Sequence, residues 1–351
     1  MRDILAHRLS AHLLDWSAYG PYEVVKHMLC MQAQDLTQNK RAIASRAWCS
    51  HDAIVASFNA WEIVRTWTQR GTIHTVAAQD AWRMVTLCAS KTLWWFKKRR
   101  AYLGITEEIA ERSVELIRAY LSDWPKTRSL IGLYLTESWI PMQPNWIYHL
   151  LCFAGTLWVT VQWPVVGWEQ AFVLTEQWIP SPTVLSEEEA LRELCLRYFS
   201  SHGPATIEDL QRRSGLWKTQ IKQWIAACGK VLSSEDRYYF SSEQQKWETS
   251  LPVVHFLAWF DERLLGYKDR TATLAVEHHT WVDVSRNGVF KPTVMVHGKT
   301  LGVWSVNHKS KSSEITITPF ETMDLPTKEL LSKHIGKYQK YLAKEGGVSI
   351  L

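Results

Sequence analysis

Residues 202–217 read His-Gly-Pro-Ala-Thr-Ile-Glu-Asp-Leu-Gln-Arg-Arg-Ser-Gly-Leu-Trp. Within this stretch, Thr206-Ile-Glu-Asp209 predicts the start of a helix, because a hydroxyl residue followed by acidic residues is a helix-start pattern. Ser214-Gly215-Leu216 predicts a turn, and Trp217–Cys228 predicts the helix that follows it. Two helices joined by a short turn that contains glycine are typical of a helix-turn-helix.

The flanking sequence completes a small structural unit. Ser186 and the three glutamates after it predict a capped helix with an acidic first turn, running to about Ser201. Val231-Leu232 and Arg237–Phe240 predict a hairpin after the last helix. Helices followed by a hairpin have the order of a winged helix, which we predict over residues 184–245.

The same order of elements occurs twice before residue 180. Residues 1–78 contain short helices and then a run rich in Thr, Trp, Val and Ile, with Gly71 near its centre, which predicts a hairpin or a bulged strand. Residues 79–180 contain helices and then strands, and a proline-rich linker follows at Ile179–Thr183. The sequence therefore predicts two further winged helices. The helices expected in the second are Ala81–Tyr102, Thr106–Leu121, Arg128–Trp139 and Trp146–Leu151, and its strands are Thr156–Gln162 and Glu169–Thr175.

Residues 250–320 differ in character, because short β-rich runs such as Trp281-Val-Asp-Val alternate there with Gly, Asn and Pro. Asn287-Gly288 is a strong signal for a hairpin turn. A small barrel or a curled sheet fits this pattern. A helix carrying five lysines is predicted at residues 326–344. Because helices and β-rich segments both occur along the chain, we predict an α+β fold.

Composition limits the kind of protein. The 351 residues are too many for one module and predict two to four domains. A hydrophobic fraction of 46% and a charged fraction of 21% are typical of a globular protein in water. The net charge of +5 permits a phosphate-bearing partner without requiring one. The 20 tryptophans are an unusually large number, and aromatic rings can stack on bases as well as fill a core.

The cysteines, the hydropathy and the N-terminal residues argue against several classes of protein. Six widely separated cysteines form no CxxC pair, so neither a zinc site nor a disulfide framework is indicated. No window reaches the roughly 18 consecutive apolar residues of a membrane span. The N-terminus is too polar for a signal peptide. We expect a cytoplasmic protein that does not interact with membranes.

Gln32-Ala33-Gln34 carries two amides one residue apart. In an extended or turn segment, residues i and i+2 point to the same side. The following Asp35-x-x-Gln38 resembles a capping box and predicts that a helix begins there. Both amides are therefore expected to project together from a connection between helices. Alternatively, the two glutamines satisfy buried backbone groups at the turn.

Two stretches are marked by basic residues. Lys97-Lys98-Arg99-Arg100 follows Leu93–Phe96, and Arg41 and Arg46 follow the glutamine pair. This mixture suits a groove along a nucleic-acid backbone. The alternative is a solvated run of charge beside core aromatics.

Arg70-Gly-Thr-Ile-His74 is a second candidate. In a strand, Arg70, Thr72 and His74 share one face, where an arginine, a hydroxyl and an imidazole could line a groove. An ordinary half-buried strand is the alternative interpretation.

The run Phe260–Arg270 holds the third candidate. Asp261, Glu262 and Asp269 are carboxylates clustered between apolar residues, and they could hold an arginine or assist a water. Surface ion pairs are the alternative. Nucleotide-binding loops, the HExxH motif and a nucleophile elbow are absent from the sequence, and we expect no cofactor and no metal.

With these residues identified, the chain resembles the AlkZ/YcaQ family of bacterial DNA glycosylases along nearly its whole length. The resemblance lies in Met31–Asp35 with Arg46, in Arg70–His74, in Gly203–Thr206 with Ser214–Leu216, and in Phe260–Glu262 followed by Leu265–Arg270. It implies three tandem winged-helix units around a DNA channel, with a small C-terminal β-barrel at residues 250–320.

The resemblance also implies a function and a site. Gln32 and Gln34 match the family's catalytic Gln-x-Gln motif, in the form associated with interstrand crosslinks and bulky N7-alkylpurines. The implied activity is a monofunctional glycosylase acting on double-stranded DNA, and we expect a monomer. Asp35, Asp261, Tyr267 and Asp269 are expected to support the site. The expected DNA contacts are Arg41, Arg46, Arg70, Thr72, His74, Lys97, Lys98, Arg99, Arg100, Lys268 and Arg270.

Two other functions remain compatible with the sequence. The first is a non-catalytic winged-helix DNA-binding protein, such as a regulator or a drug-resistance binder, because fold alone does not fix function. The second is a structural or protein-binding array whose basic runs face solvent. It predicts no salt-dependent affinity for DNA.

Overall fold

The computed structural model describes residues 4–14, 19–243, 254–283, 288–308, 313–342 and 348–350. The chain divides into two compact units. One comprises Met1–Val55 and Arg192–Leu351, and the other comprises Ala56–Leu191. Both contain helices and strands, so the α+β class predicted from the sequence is confirmed.

Helices make up most of the regular structure. In chain order they are α1 (Ile4–Ala11), α2 (Pro21–Met28), α3 (Leu36–Ala47), α4 (His51–Asn59), α5 (Ala78–Leu103), α6 (Glu107–Tyr120), α7 (Arg128–Glu137), α8 (Trp146–Thr156), α9 (Thr175–Trp178), α10 (Glu187–His202), α11 (Ile207–Ser214), α12 (Lys218–Cys228), α13 (Glu262–Leu265), α14 (His279–Val282) and α15 (Leu325–Leu342). Among the described residues, no helix combines the length and the apolar character needed to cross a membrane.

The strands are short. In chain order they are β1 (Met31–Gln32), β2 (Ile63–Trp67), β3 (Ile73–Ala77), β4 (Lys126–Thr127), β5 (Thr160–Val166), β6 (Glu169–Leu174), β7 (Leu232–Glu235), β8 (Tyr238–Ser241), β9 (Val254–Leu257), β10 (Thr293–Val296), β11 (Lys299–His308), β12 (Ser313–Pro319) and β13 (Val348–Ile350).

The unit formed by residues 56–191 is built on antiparallel strands in the order β3-β2-β5-β6-β4. Helix α8 is buried over nearly its whole circumference, which is typical of a helix inside a core. Helix α5 ends at Leu103 and is capped by Gly104, whose φ of 73° is a left-handed conformation that glycine adopts without steric cost. The predicted hairpin between β2 and β3 is confirmed.

In the other unit, the part of α10 from Arg192 onward, α11 and α12 precede the hairpin β7–β8, and the helices and hairpin predicted here are present. Thr206 and Asp209 form a reciprocal capping box at the start of α11. A Cβ atom at Gly203 would lie 2.8 Å from the Cα of Phe240, so glycine lets the hairpin approach this turn closely. Phe199, Ala205, Leu210 and Ile221 belong to the buried cluster beneath them.

The same unit contains a sheet with the strand order β13-β12-β11-β10-β9. Its pairs are antiparallel except for β12 with β13. The closed barrel predicted for residues 250–320 is not found in the part of the chain that the structure describes, where β9 and β13 are the edges of an open sheet. Leu331 and Ile335 of α15 pack in one core with Phe256, Trp304 and Ile317 of the sheet. Helix α15 therefore covers an apolar face of the sheet that would face the interior of a closed barrel.

The β-rich interpretation of residues 281–284 was wrong for the described residues. His279–Val282 form the helical turn α14, in which Val282 is buried and Trp281 is partly exposed. A single helical turn is enough to bury Val282, so these β-forming residues need not form a strand. Asn287 of the predicted hairpin turn, and Lys344 of the predicted C-terminal helix, lie outside the described residues.

Candidate active site

The two glutamine side chains meet. Gln32 ends the short extended segment β1, and its Nε2 donates to Oε1 of Gln34 over 2.7 Å. The Gln34 backbone N–H donates in turn to Oε1 of Gln32 over 3.2 Å. Ala33 between them is fully buried, so the chain alternates and both amides lie on the opposite side. The expectation that they project together is confirmed.

The pair combines a buried amide with an accessible one. Gln32 is 8% exposed, whereas Gln34 is exposed at the surface. A carbonyl oxygen has two acceptor sites and an amide nitrogen has two donor hydrogens. After their mutual hydrogen bonds, both amides can therefore still accept and donate. Gln34 presents these groups to solvent, where a water or a substrate could reach them.

Helix α3 begins directly after the pair, as the sequence predicted. Asp35 is its N-cap and accepts from the Gln38 backbone N–H over 3.0 Å. The Gln38 side chain does not return to the cap; its Oε1 accepts from the Trp259 backbone N–H over 3.3 Å. From inside α3, Asn39 Nδ2 donates to the Gln32 carbonyl oxygen over 2.9 Å.

A buried carboxylate lies on the other side of β1. Oε1 of Glu262 accepts from the Gln32 backbone N–H over 3.0 Å and from a terminal guanidinium nitrogen of Arg213 over 2.9 Å. The same Arg213 nitrogen donates to the Cys30 carbonyl oxygen over 2.9 Å. The backbone just before Gln34 is therefore bound to a charged pair from α11 and α13.

Asp261 has different partners from its neighbour. It accepts two hydrogen bonds from Arg46, of 2.9 and 2.8 Å, and it caps α13 through the Arg263 backbone N–H. Burial acts to lower the pKa of Arg46, but Asp261, together with Glu262 and Tyr267, raises this pKa above its ordinary value. The pair is an interior ion pair.

Two histidines complete this buried group. The Tyr267 hydroxyl donates to the His202 carbonyl oxygen over 2.7 Å, so His12 Nε2, 2.8 Å from the same hydroxyl, acts as its donor. His12 Nδ1 is then the acceptor that faces Arg46 at 3.4 Å. Burial, followed by repulsion from His202 and Arg46, holds the pKa of His12 well below its ordinary value. Burial also lowers the pKa of His202, although Glu262, 3.7 Å away, opposes the shift.

The structure does not support every predicted DNA contact. Arg46 is fully buried on Asp261 and cannot reach a phosphate in this structure, and Arg41 is also buried. Arg100 is buried as well, with Glu107 at 3.1 Å and the Phe153 ring beneath its guanidinium. Neither charge nor position in the sequence distinguishes an arginine in an interior ion pair from a surface cation.

Arg70, Thr72 and His74 do not share a strand face, which corrects the prediction. Positive φ angles at Arg70 and Gly71 turn the chain in a short 3-10 segment between β2 and β3. Arg70 is exposed in this turn. His74 is buried, and its Nδ1 lies 2.9 Å from the Thr68 hydroxyl and 3.0 Å from the Thr72 carbonyl oxygen.

The remaining basic side chains are accessible to different degrees. Lys97, Lys98 and Arg99 are exposed on α5, and Lys98 lies over the exposed Trp94 ring, 4.0 Å from its centre. Lys268 is exposed. Arg270 is half-buried over the Phe290 ring, and burial lowers the pKa of Arg270 to about 10.

The predicted supporting residues fall into two groups. Asp261 and Tyr267 are buried in the charged group described above. Asp35 and Asp269 are exposed, and Asp269 accepts from the backbone and the hydroxyl of Thr271. These bonds, with Arg237 nearby, lower the pKa of the Asp269 carboxyl.

The sequence did not identify Arg213, Asn39, His12 and His202 as members of this site. No local pattern marks them, because their partners lie far away in the chain: Arg213 and Cys30 are separated by 183 positions. Within the described part of the chain, no group of three or more His, Cys, Asp or Glu side chains could hold a metal ion.

The fold and the site describe an α+β protein with a surface amide pair fixed by buried charges. The sequence profile of the family described as DNA glycosylase AlkZ-like matches residues 25–341. The chain therefore belongs to the AlkZ-like DNA glycosylases, enzymes that act on N-glycosyl bonds.

Two further comparisons agree with this family. An interstrand DNA cross-link repair glycosylase of Streptomyces sahachiroi is 24% identical, with 100% of this chain and 97% of that protein covered. The solved structure of the Streptomyces sahachiroi DNA glycosylase AlkZ superimposes with a TM-score of 0.83 at 21% identity, covering 99% of this chain and 98% of the other. The latter shows that the two chains share a fold.

Proposed function

We propose that the protein hydrolyses the N-glycosidic bond of cationic N7-alkylpurines in double-stranded DNA, including bulky adducts and interstrand crosslinks. Gln32 and Gln34 are the proposed catalytic residues. The observation that carries this proposal is the hydrogen-bonded amide pair, of which Gln34 is accessible. Membership of the glycosylase family supports the reaction class, and the name of the Streptomyces relative supports the crosslink substrate.

The chemistry suits amides. Glycosidic hydrolysis passes through an oxocarbenium-like state that carboxylates usually assist. An amide is not a base, but it can orient a water by accepting one hydrogen bond and donating another. An N7-alkylated purine is positively charged and leaves as a neutral base, so departure requires no general acid. The amide oxygens of Gln32 and Gln34 then position the water and stabilise the positive charge that develops on the sugar.

The scaffold proposed for DNA binding consists of three tandem winged helices at residues 1–78, 79–180 and 184–245, with the open sheet of β9–β13 and helix α15. The order α10, α11, α12 and the hairpin β7–β8 supports the third unit. A monomer would hold the duplex. The exposed cations proposed to contact phosphates are Arg70, Lys97, Lys98, Arg99 and Lys268.

The experiment compares excision by the wild type, Gln32→Ala and Gln34→Ala under single-turnover conditions. One end-labelled duplex carries N7-methylguanine, a second carries a nitrogen-mustard crosslink, and alkali reveals abasic sites. Wild type should excise well above the spontaneous rate. Each substitution should lower the rate by about 100-fold or more, as expected for loss of a charge-stabilising group, without changing the Kd for DNA.

Gln143→Ala is the matched control, because Gln143 is an exposed glutamine in the other unit. It should retain the wild-type rate. Equal excision rates for the wild type, Gln32→Ala and Gln34→Ala would show that the glutamines are not catalytic. Tight binding of undamaged DNA with no excision of either lesion would favour the non-catalytic DNA-binding protein instead.

A further inference from the structure

We propose that Glu262 and Arg213 are positioning residues that hold the Gln32–Gln34 segment in its catalytic shape. The proposal rests on the function proposed above for the two glutamines. It concerns two buried residues that act through the backbone of the glutamine segment.

The Glu262 carboxylate binds the backbone of the first glutamine. One oxygen, Oε1, accepts from both the Gln32 N–H at 3.0 Å and Arg213 at 2.9 Å. Hydrogen bonds to an ionised acceptor are shorter and roughly twice as strong as neutral ones. The backbone N–H of Gln32 is therefore held by a charged group whose own position is fixed by a guanidinium.

Arg213 adds a second point of attachment. The nitrogen that binds Glu262 also donates to the Cys30 carbonyl oxygen, two residues before Gln32. Asn39 holds the Gln32 carbonyl oxygen from α3. The N–H and the carbonyl oxygen of Gln32 are thus both hydrogen-bonded, and so is the carbonyl oxygen of Cys30. These bonds fix the direction in which the Gln32 side chain projects from the backbone.

Burial separates this role from direct catalysis. Glu262 is 1% exposed and Arg213 is 2% exposed, so neither can touch DNA in this structure. A buried ion pair is a poor source of stability, because removing two charges from water offsets their attraction. We therefore assign the Glu262–Arg213 pair a role in fixing the geometry of Gln32. The two amides require this geometry, because misplacement of a catalytic group by about 1 Å can cost roughly 100-fold in rate.

The neighbouring carboxylate has no such contact. Asp261 binds Arg46 and the start of α13, while Glu262 binds the glutamine segment. This difference allows the effect of Glu262 to be distinguished from a general loss of buried charge.

The test uses the full-length protein with Glu262→Gln and Glu262→Ala. Glu262→Gln keeps the shape and an acceptor oxygen but removes the charge, so it should fold even where Glu262→Ala does not. Ile317→Ala is a stability control, because Ile317 lies in the core of the open sheet and outside the site.

Hydrogen exchange measured by mass spectrometry gives a readout that does not depend on catalysis. Peptides covering residues 29–35 should exchange about 10-fold faster in Glu262→Gln and faster still in Glu262→Ala, because the Gln32 N–H loses its charged acceptor. In the same variants, the single-turnover excision rate at saturating protein should fall about 10-fold and 100-fold, with the DNA Kd within about twofold of wild type. Ile317→Ala should lower Tm without changing the excision rate or exchange in these peptides.

Unchanged exchange in residues 29–35 would overturn the proposal, and so would faster exchange with an unchanged excision rate. Faster exchange in a protein whose wild type excises neither lesion would support the positioning contacts while overturning the proposed function. The two hypotheses can therefore fail separately.

Discussion

Asp261 and Glu262 are adjacent and equally buried, yet they serve different parts of the molecule. Asp261 neutralises Arg46 and caps a helix, whereas Glu262 binds the backbone beside the catalytic candidate. The difference arises because successive side chains at a helix start point in different directions. Residue type therefore does not distinguish the two roles, and only the partner does.

The buried histidines give a prediction for pH. His12 and His202 have an ordinary pKa of 6.5, and burial lowers the pKa of both in the folded protein. Below about pH 6.5, these histidines therefore bind protons in the unfolded chain but stay neutral in the folded protein. The free energy of unfolding should fall as the pH drops from 6.5 towards the lowered pKa values, by roughly 1 kcal/mol per pH unit for each histidine.

Urea unfolding at pH 7.0, 6.0 and 5.5 measures this slope. His202→Gln should reduce the slope of the free energy of unfolding against pH by the equivalent of up to one bound proton. A slope that is the same in His202→Gln and wild type would show that His202 is not the group responsible.

At the element scale, the start of α3 depends on one side chain. Asp35 caps the helix through the Gln38 N–H, and removal of such a cap costs about 1 kcal/mol. Asp35→Ala should lower the free energy of unfolding by that amount. Asp35→Asn retains an acceptor oxygen and should recover most of the loss in the same urea titration. Equal stability of the alanine variant and wild type would mean that the cap contributes nothing.

Helix α13 can approach α10 because residue 266 is a glycine. A Cβ atom at Gly266 would lie 2.7 Å from the Glu262 carbonyl oxygen and 2.9 Å from His202 Nε2. Gly266 has an ordinary helical φ of −64°, so the penalty is crowding and not backbone conformation. Gly266→Ala should destabilise the protein by about 1–3 kcal/mol, as other overpacked cores do.

Thermal unfolding tests this prediction against Gly132→Ala. Gly132 lies within α7, and an added Cβ atom there would meet Ile147 at 3.8 Å, which is ordinary contact. This control should raise stability by about 0.5–1 kcal/mol, because alanine is the better helix former. A Gly266→Ala protein as stable as wild type would show that α10 and α13 can move apart.

At the scale of the whole molecule, DNA binding depends less on the net charge of +5 than on which cationic side chains are exposed. Lys97, Lys98 and Arg99 are exposed on one helix, whereas Arg46 and Arg100 are held inside. Only accessible cations can release counterions from DNA. The affinity of the protein for DNA should therefore depend on the exposed set.

Substituting Lys97, Lys98 and Arg99 together by Gln should weaken duplex binding and flatten its salt dependence. The slope of log K against log salt should decrease by up to about 0.9 for each phosphate that the protein no longer neutralises. Fluorescence anisotropy between low and physiological salt measures it. Arg118→Gln removes an exposed cation that is paired with Glu176 and should leave the slope unchanged. An unchanged slope in the triple variant would place the DNA interface elsewhere.

Local patterns predicted most of the elements. Cap residues at Thr106, Thr206 and Asp35 predicted helix starts. Runs of β-forming residues predicted the hairpins, and the i, i+2 spacing predicted the common direction of the glutamine pair. They failed for residues 281–284, where a run of β-forming residues is helical in its described part. They also failed for the barrel, because strand preference does not specify whether the last strand pairs with the first.

The sequence by itself determined the α+β class, the order of helices and hairpins, and the candidate glutamines, because these depend on residues close together in the chain. Only the tertiary structure decided which charges are accessible and which carboxylate holds the glutamine segment. Gln32 and Glu262 are separated by 230 positions. Their contact depends on how α13 packs against β1, and periodicity within either segment carries no information about that packing.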